Sequence, residues 1–248
     1  MLSYRHAFHA GNHADVLKHL VLNLCLEYMN SKDKPYLLVD SHAGAGQYSL
    51  EAEHAKRTSE YIHGVGRLWD RKDLPAPVAA YMALIRQLNG GGGKLRRYPG
   101  SPWIASHVAR KIDRLRFCEL HSTDFALLRR QYKDGGLRVT VEQEDGFAVL
   151  KAALPPISRR GLVLIDPSYE IKSDYMKVVA AVKDALKRFA TGTILVWHPA
   201  LPTLEANGLP EKLKKAGATH WLHATLNVRG PWSPGRGRSA SHAANGWR

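Results

Sequence analysis

The chain has 248 residues, 44% of them hydrophobic, with 36 basic against 22 acidic side chains and a formal charge of +14. That is enough for one cored α/β domain with an insertion or for two small domains, and only the last twenty residues are polar enough to read as disordered. No apolar run is long enough to span a membrane, since residues 20–26 are broken by Asn23 and end at Glu27.

The first thirteen residues lack the apolar core of a secretory signal. Cys25 and Cys118 sit in a helix-like and a strand-like apolar context without metal-ligand spacing, as in a reduced cytoplasmic protein. Asn12 can cap a helix with Asp15 three positions on, and Val16, Leu17, Leu20, Val21 and Leu24 follow at helical spacing. "KPYLLVD" (34–40) is a short strand, followed by the glycine-bearing turn "HAGAGQYSL". Residues 53–98 read mainly as a helical insertion and close on the loop "GGGGK". Strands and helices then alternate: "RLRFCELH", "TDFALLRRQY", "LRVTVEQEDG", "FAVLKAALP", "GLVLIDPSYE", "DYMKVVAAVKDALKRF", "GTILVWHP", "PEKLKKAG" and "THWLHATLNV". This alternation predicts an α/β fold, a mostly parallel sheet with helices on both faces.

In such a sheet Asp40, Glu119, Asp145 and Asp166 all fall at the carboxyl edge, where ligands bind. One acid at a strand end is commonplace; four point to a polar ligand with hydroxyl and amino groups. Gly44 and Gly46 let the backbone of the first turn approach a ligand. That turn is neither G-x-G-x-x-G nor a phosphate loop, and a plain tight turn explains it equally well. Glu119 is placed to accept two ribose hydroxyls and Asp145 an adenine amino group, which fits S-adenosyl-L-methionine as well as a dinucleotide.

Asp166-Pro167-Ser168-Tyr169 decides between them. It resembles the Asp-Pro-Pro-Tyr signature of methyltransferases acting on exocyclic amines, with Ser168 in place of the second proline. An adenine amine is a poor nucleophile because its lone pair is delocalised into the ring. A carboxylate and the Pro167 carbonyl accepting its two hydrogens would draw the nitrogen towards tetrahedral geometry. Tyr169 would stack on a base swung out of its helix.

"MLSYRHAFHAGNHADVLKH", "DSHAGAGQY", "YPGSP", "ELH", "EDGF" and "SRRGLVLIDPSYE" follow one another as in the bacterial 23S ribosomal RNA adenine-N6 methyltransferase J family, a similarity that covers residues 1–228. The resemblance implies a Rossmann-like class I methyltransferase with a small helical insertion. It implies cofactor contacts at His19, His42, Ser101, Glu119, Asp145, Gly146 and Asp166, with Asp166 catalytic, and an RNA contact at Tyr4. The family is also labelled as aiding use of external DNA. A DNA adenine methyltransferase and a non-catalytic nucleic-acid-binding protein therefore stay open as alternatives.

His6, His9, His13 and His19 could suggest a metal, but Gly11-Asn12 breaks any helix between them and no cysteine or carboxylate completes a ligand set, so no metal is expected. Residues 229–248 hold four arginines and no acid; without them the body still carries +10, a field that attracts phosphate backbones. Arg96 and Arg97, just before "YPGSP", are candidates for gripping substrate phosphates, with a solvated basic turn as the plain alternative. The tail departs from the family after "LNVRGP". It reads either as a truncated or frame-shifted end, preferred because the last strands would lose a partner, or as a basic arm touching RNA. A cytoplasmic monomer acting on 23S ribosomal RNA is the expectation.

Overall fold

The computed structural model describes residues 5–228 and 242–247. After a 3-10 turn at His6–Phe8, helix α1 (His13–Asn30) leads into β1 (Leu37–Asp40). Strand β2 (Gln47–Ser49), four helices (α2 Glu53–Thr58, α3 Glu60–His63, α4 Gly66–Trp69, α5 Ala76–Leu88) and β3 (Arg97–Pro99) follow. The alternating part comprises α6 (Ser101–Val108), β4 (Arg114–Cys118), α7 (Ser122–Gln131), β5 (Val139–Glu142), α8 (Gly146–Ala153), β6 (Gly161–Ile165) and α9 (Ser173–Arg188). The chain finishes with β7 (Thr193–Ala200), α10 (Leu204–Lys214), β8 (His223–Val228) and β9 (His242–Trp247).

The main sheet runs β5-β4-β1-β6-β7-β9-β8. Its first five strands are parallel, and β9 lies antiparallel to both β7 and β8. This is the Rossmann-like order of class I methyltransferases with one reversed strand, β9, so that β8 again runs parallel to β7. Strand periodicity builds its two cores. Leu38, Leu162, Leu164 and Leu195 point to one face, packed with α1, α5 and α6. Val39, Val163, Ile165, Ile194 and Val196 point to the other, packed with α8, α9 and α10. Central β6 is buried at all five positions, which is why its sequence shows no polar alternation. No helix among the described residues is long and apolar enough to cross a membrane.

Three features differ from the sequence reading. The insertion hangs on a two-stranded antiparallel neck, β2 against β3 with Tyr48 opposite Tyr98, which is too short to show a period. The most buried stripe of α1 is not 16, 17, 20, 21 and 24, of which Leu24 is exposed, but Asp15, Lys18, His19, Leu22, Leu26 and Met29. A helix can bury polar groups at its start when they find partners there, and these do. The domain was expected to end at residue 228, yet β9 fills the slot between β7 and β8. "HAANGW" has no apolar alternation because backbone pairing, not side-chain pattern, defines it. Residues 229–241 lie outside the described residues.

Candidate active site

The carboxyl ends of the parallel strands open into a cavity of about 630 Å³, within the ~300–1,000 Å³ usual for small-molecule sites. His19, His42, Ser101, Glu119, Asp145, Gly146, Asp166, Pro167 and Tyr169 all line it. The common edge inferred for the strand-end acids is therefore a common cavity. Asp40 sits just beneath, fully buried.

Each side chain is held by a nameable contact. Glu119, half-buried after β4, accepts the Gly44 N–H at 2.8 Å on one oxygen and the His121 N–H at 2.7 Å on the other. Burial raises its pKa, and those two backbone donors partly offset the rise. Asp145 caps α8, its Oδ1 accepting the Phe147 N–H at 2.9 Å, so it serves as a helix cap as well as a cavity wall. Ser41 Oγ donates to the Leu164 carbonyl at 2.9 Å and accepts from His42 Nδ1 at 2.8 Å. Burial drives His42 down to about 4 and His19 to about 3, so both imidazoles are neutral near pH 7. Asp40 is pushed up to about 7, chiefly by burial and further by the Asp166 charge, with Ser101 opposing.

Two glycines are required by space. A Cβ on Gly146 would lie 1.9 Å from the Ser41 carbonyl oxygen, and one on Gly44 would lie 2.3 Å from the Tyr48 hydroxyl. Gly44 also has φ +62. The bare backbone at both turns, with acceptor carboxylates after β4 and β5, makes a setting whose acceptors match the hydroxyl and amino donors of the adenosine half of S-adenosyl-L-methionine.

The residue missed in the sequence is Lys18. Its Nζ lies 2.7 Å from Asp166 Oδ2 and 3.0 Å from Asp15 Oδ1, with both Lys18 and Asp15 almost fully buried. Asp15 Oδ2 also accepts the Gly11 N–H and pairs with His6 Nε2, each at 2.9 Å. Burial pulls the Asp15 carboxyl up, but His6 and Lys18 outweigh it and hold it well below the usual range. His9 and Asn12 meet Glu60 at 3.0 and 2.9 Å, and His19 meets the Tyr98 hydroxyl at 2.9 Å. Carboxylates do stand beside His6 and His9, contrary to the sequence reading. They come from α1 and the insertion and form pairwise hydrogen bonds, with no grouping of three or more metal-type ligands among the described residues. The only local clue to Lys18 was its i, i+3 spacing from Asp15 on a helix opened by Asn12.

Tyr169 adopts φ +55, a left-handed conformation that is strained for a tyrosine. Its hydroxyl donates to the Trp197 carbonyl at 2.6 Å and its ring packs 4.6 Å from that of Tyr175. It is thus a fixed wall, with Trp197 beside it in the cavity and the Lys18 ammonium 5.9 Å from the Trp197 ring. Arg96 and Arg97 are exposed and do not line the cavity; their N–H groups both donate to Asn89 Oδ1. Tyr4 lies outside the described residues.

Comparison with known proteins gives one consistent result. The family model for "Ribosomal RNA large subunit methyltransferase D, RlmJ" matches residues 33–243. The ribosomal RNA large subunit methyltransferase J of Escherichia coli is 49% identical over 97% of this chain and 85% of its own length. That of Haemophilus influenzae is 48% identical with the same coverage. The crystal structure of protein LPL1258 from Legionella pneumophila superposes with a TM-score of 0.86 at 34% identity, covering 96% of this chain and 85% of the other.

Proposed function

Because the chain belongs to the ribosomal RNA large subunit methyltransferase J family, we propose that it transfers the methyl group of S-adenosyl-L-methionine to the N6 amino group of an adenine in 23S ribosomal RNA. The observation that carries the residue assignment is the junction of Asp166 with Lys18 in the cavity that Glu119, Asp145 and the Gly44 turn also line.

When bound, the cofactor supplies a methyl group on a cationic sulfur. Glu119 would accept its ribose hydroxyls and Asp145 its adenine amine, while His19, His42, Ser101 and Gly146 shape the rest of the pocket. For the acceptor adenine, Asp166 and the Pro167 carbonyl take the two N–H hydrogens. Lys18 occupies Asp166 Oδ2, which leaves Oδ1 to meet the amine and prevents the carboxylate from rotating. With both hydrogens held, the nitrogen lone pair is directed out of the ring plane. Tyr169, locked by its hydroxyl, forms a rigid flank for the extruded base; Tyr4 is assigned to the RNA side. The scheme draws on residues of one chain and is read as that of a monomer, and a ribosomal RNA substrate supports an activity in the cytoplasm.

The test is methyl transfer to 23S RNA and to duplex DNA, assayed side by side with wild type and Asp166→Ala. Wild type should modify the RNA at an adenine, and Asp166→Ala should retain the fold, because Asp15 still holds Lys18, yet lose turnover. Transfer to DNA alone would favour the DNA methyltransferase reading. An intact fold without cofactor binding by calorimetry would favour the non-catalytic one.

A further inference from the structure

The charge of this protein is not where its cavity is. Among the described residues, eight acidic side chains line the cavity against two lysines and no arginine, so the region that would meet the target base is formally negative while the chain as a whole carries +14. The phosphates of an RNA ligand must therefore be held by surfaces that do not line the cavity.

Four arginines have a structural duty. In this fold the helices run back against the strands, so their carboxyl ends collect at the amino edge of the sheet, opposite the cavity. Arg138 donates to the Ser106 and Ala109 carbonyls at the end of α6, and Arg188 to those of Lys151 and Leu154 at the end of α8. Arg110 and Arg160 both donate to the Lys32 and Lys34 carbonyls just past α1, and both guanidiniums stand within 6 Å of the Tyr36 ring. Capping and the helix dipole account for these four.

They do not account for the neighbours that this clamp gathers. Lys32 and Lys34 flank Asp33 on the clamped loop, Lys111 follows Arg110, Arg159 precedes Arg160, and Arg114 opens β4; all five are exposed. The register fixes them at one edge. Leu37 of β1 pairs with Arg114 on one side and with Gly161, which follows Arg160, on the other. Of the acids beside them in sequence, Asp33 is exposed and Asp113 is buried and already bound to Arg110. Ile112 and Ile157 also stand exposed among them. Four of these, Lys32, Lys34, Lys111 and Arg159, are further cations on three converging loops that exceed what the helix ends need.

We propose that the amino edge of the sheet, built from Lys32, Lys34, Lys111 and Arg159, is a second RNA-backbone surface that holds a segment of the substrate distant from the target adenine. The proposal rests on the RNA reading above. It means that a long, folded RNA is gripped at both ends of the sheet, whereas a minimal stem-loop seated at the cavity reaches only one.

The test uses full-length Lys32→Gln/Lys34→Gln/Lys111→Gln/Arg159→Gln, which leaves the four capping arginines and the cavity intact. Affinity for a long 23S fragment and for a minimal stem-loop, both containing the target adenine, is measured across a salt series beside methylation of each. The variant should bind the long fragment at least about tenfold more weakly, with a log–log salt slope lower by about one for each phosphate it no longer grips. Stem-loop methylation and cofactor affinity should stay within about twofold of wild type. An unchanged long-fragment affinity and slope, or an equal loss on both RNAs, overturns the proposal. Wild type that binds both RNAs but methylates neither defeats the enzymatic reading instead, and the binding comparison still decides the edge.

Discussion

Replacing Lys18 with methionine keeps the aliphatic stem and removes the ammonium that sits between Asp15 and Asp166. Lys18 is 6% exposed and Asp15 2%, so the loss strands a carboxylate in a site where water cannot replace the cation. Breaking one partner out of a buried ion pair costs about 3–5 kcal/mol. Asp166, at 19% exposure, retains some access to water, which places the expectation at the lower end of that range. The sign with pH follows from Asp15, whose carboxyl is depressed in the folded state. Its pairing contributes stability above the unfolded carboxylate pKa of about 3.9 and loses it as pH falls through the lower folded value. Without Lys18 that pKa rises, so the gap between variant and wild type should be widest near pH 7 and narrow towards pH 4. Denaturant unfolding at several pH values measures this, with Asp15→Asn added to Lys18→Met as the control. Neutralising Asp15 should recover at least about half of the cost, because the stranded charge is gone. Methyl transfer should fall in the single variant, since Asp166 is then free to rotate. A Lys18→Met protein within about 1 kcal/mol of wild type at pH 7, or one that Asp15→Asn fails to relieve, would refute the reasoning.

Gly146→Ala should weaken cofactor binding and cost at least the ~1–3 kcal/mol of an overpacked site, because its Cβ would meet a backbone carbonyl at 1.9 Å; thermal unfolding and calorimetry check both. Asp40→Asn should stabilise the protein near neutral pH. The carboxyl is raised to about 7, so the folded state holds a proton that the unfolded state has shed. Wild-type stability should thus fall between about pH 4 and 7 by up to ~1.4 kcal/mol per unit, a slope that is shallower in the variant. Neutralising Arg96 and Arg97 together should lower the salt slope of RNA binding by up to about one unit for each phosphate released and leave cofactor affinity unchanged, since neither lines the cavity. An unaltered slope would remove them from the RNA surface.

What the chain declares locally proved readable. Residues 161–165 are apolar on both faces because a central parallel strand is covered on both, and a run of that kind needs no partner to be recognised. The Asn12 cap with Asp15 closes within three residues, at 2.9 Å. The acids at strand ends share one edge because parallel strands all point the same way. The tertiary structure alone decided what crosses the chain. Lys18 finds Asp166 across 148 positions, and nothing in the spacing of either residue announces it. Apolar spacing marked 16, 17, 20, 21 and 24 on α1 and passed over the buried Asp15, Lys18 and His19, because helical periodicity reports amphipathicity but not which polar groups will be paired when buried. Strand β9 was invisible because its place depends on an open slot between β7 and β8. Neighbouring basic residues were sorted by folding: Arg110 holds the Lys32 and Lys34 carbonyls, Arg116 pairs with Glu142, and Lys111 between them stays exposed. Propensity and pattern act over a few residues, while desolvation forces each buried charge to find its partner wherever the fold brings one.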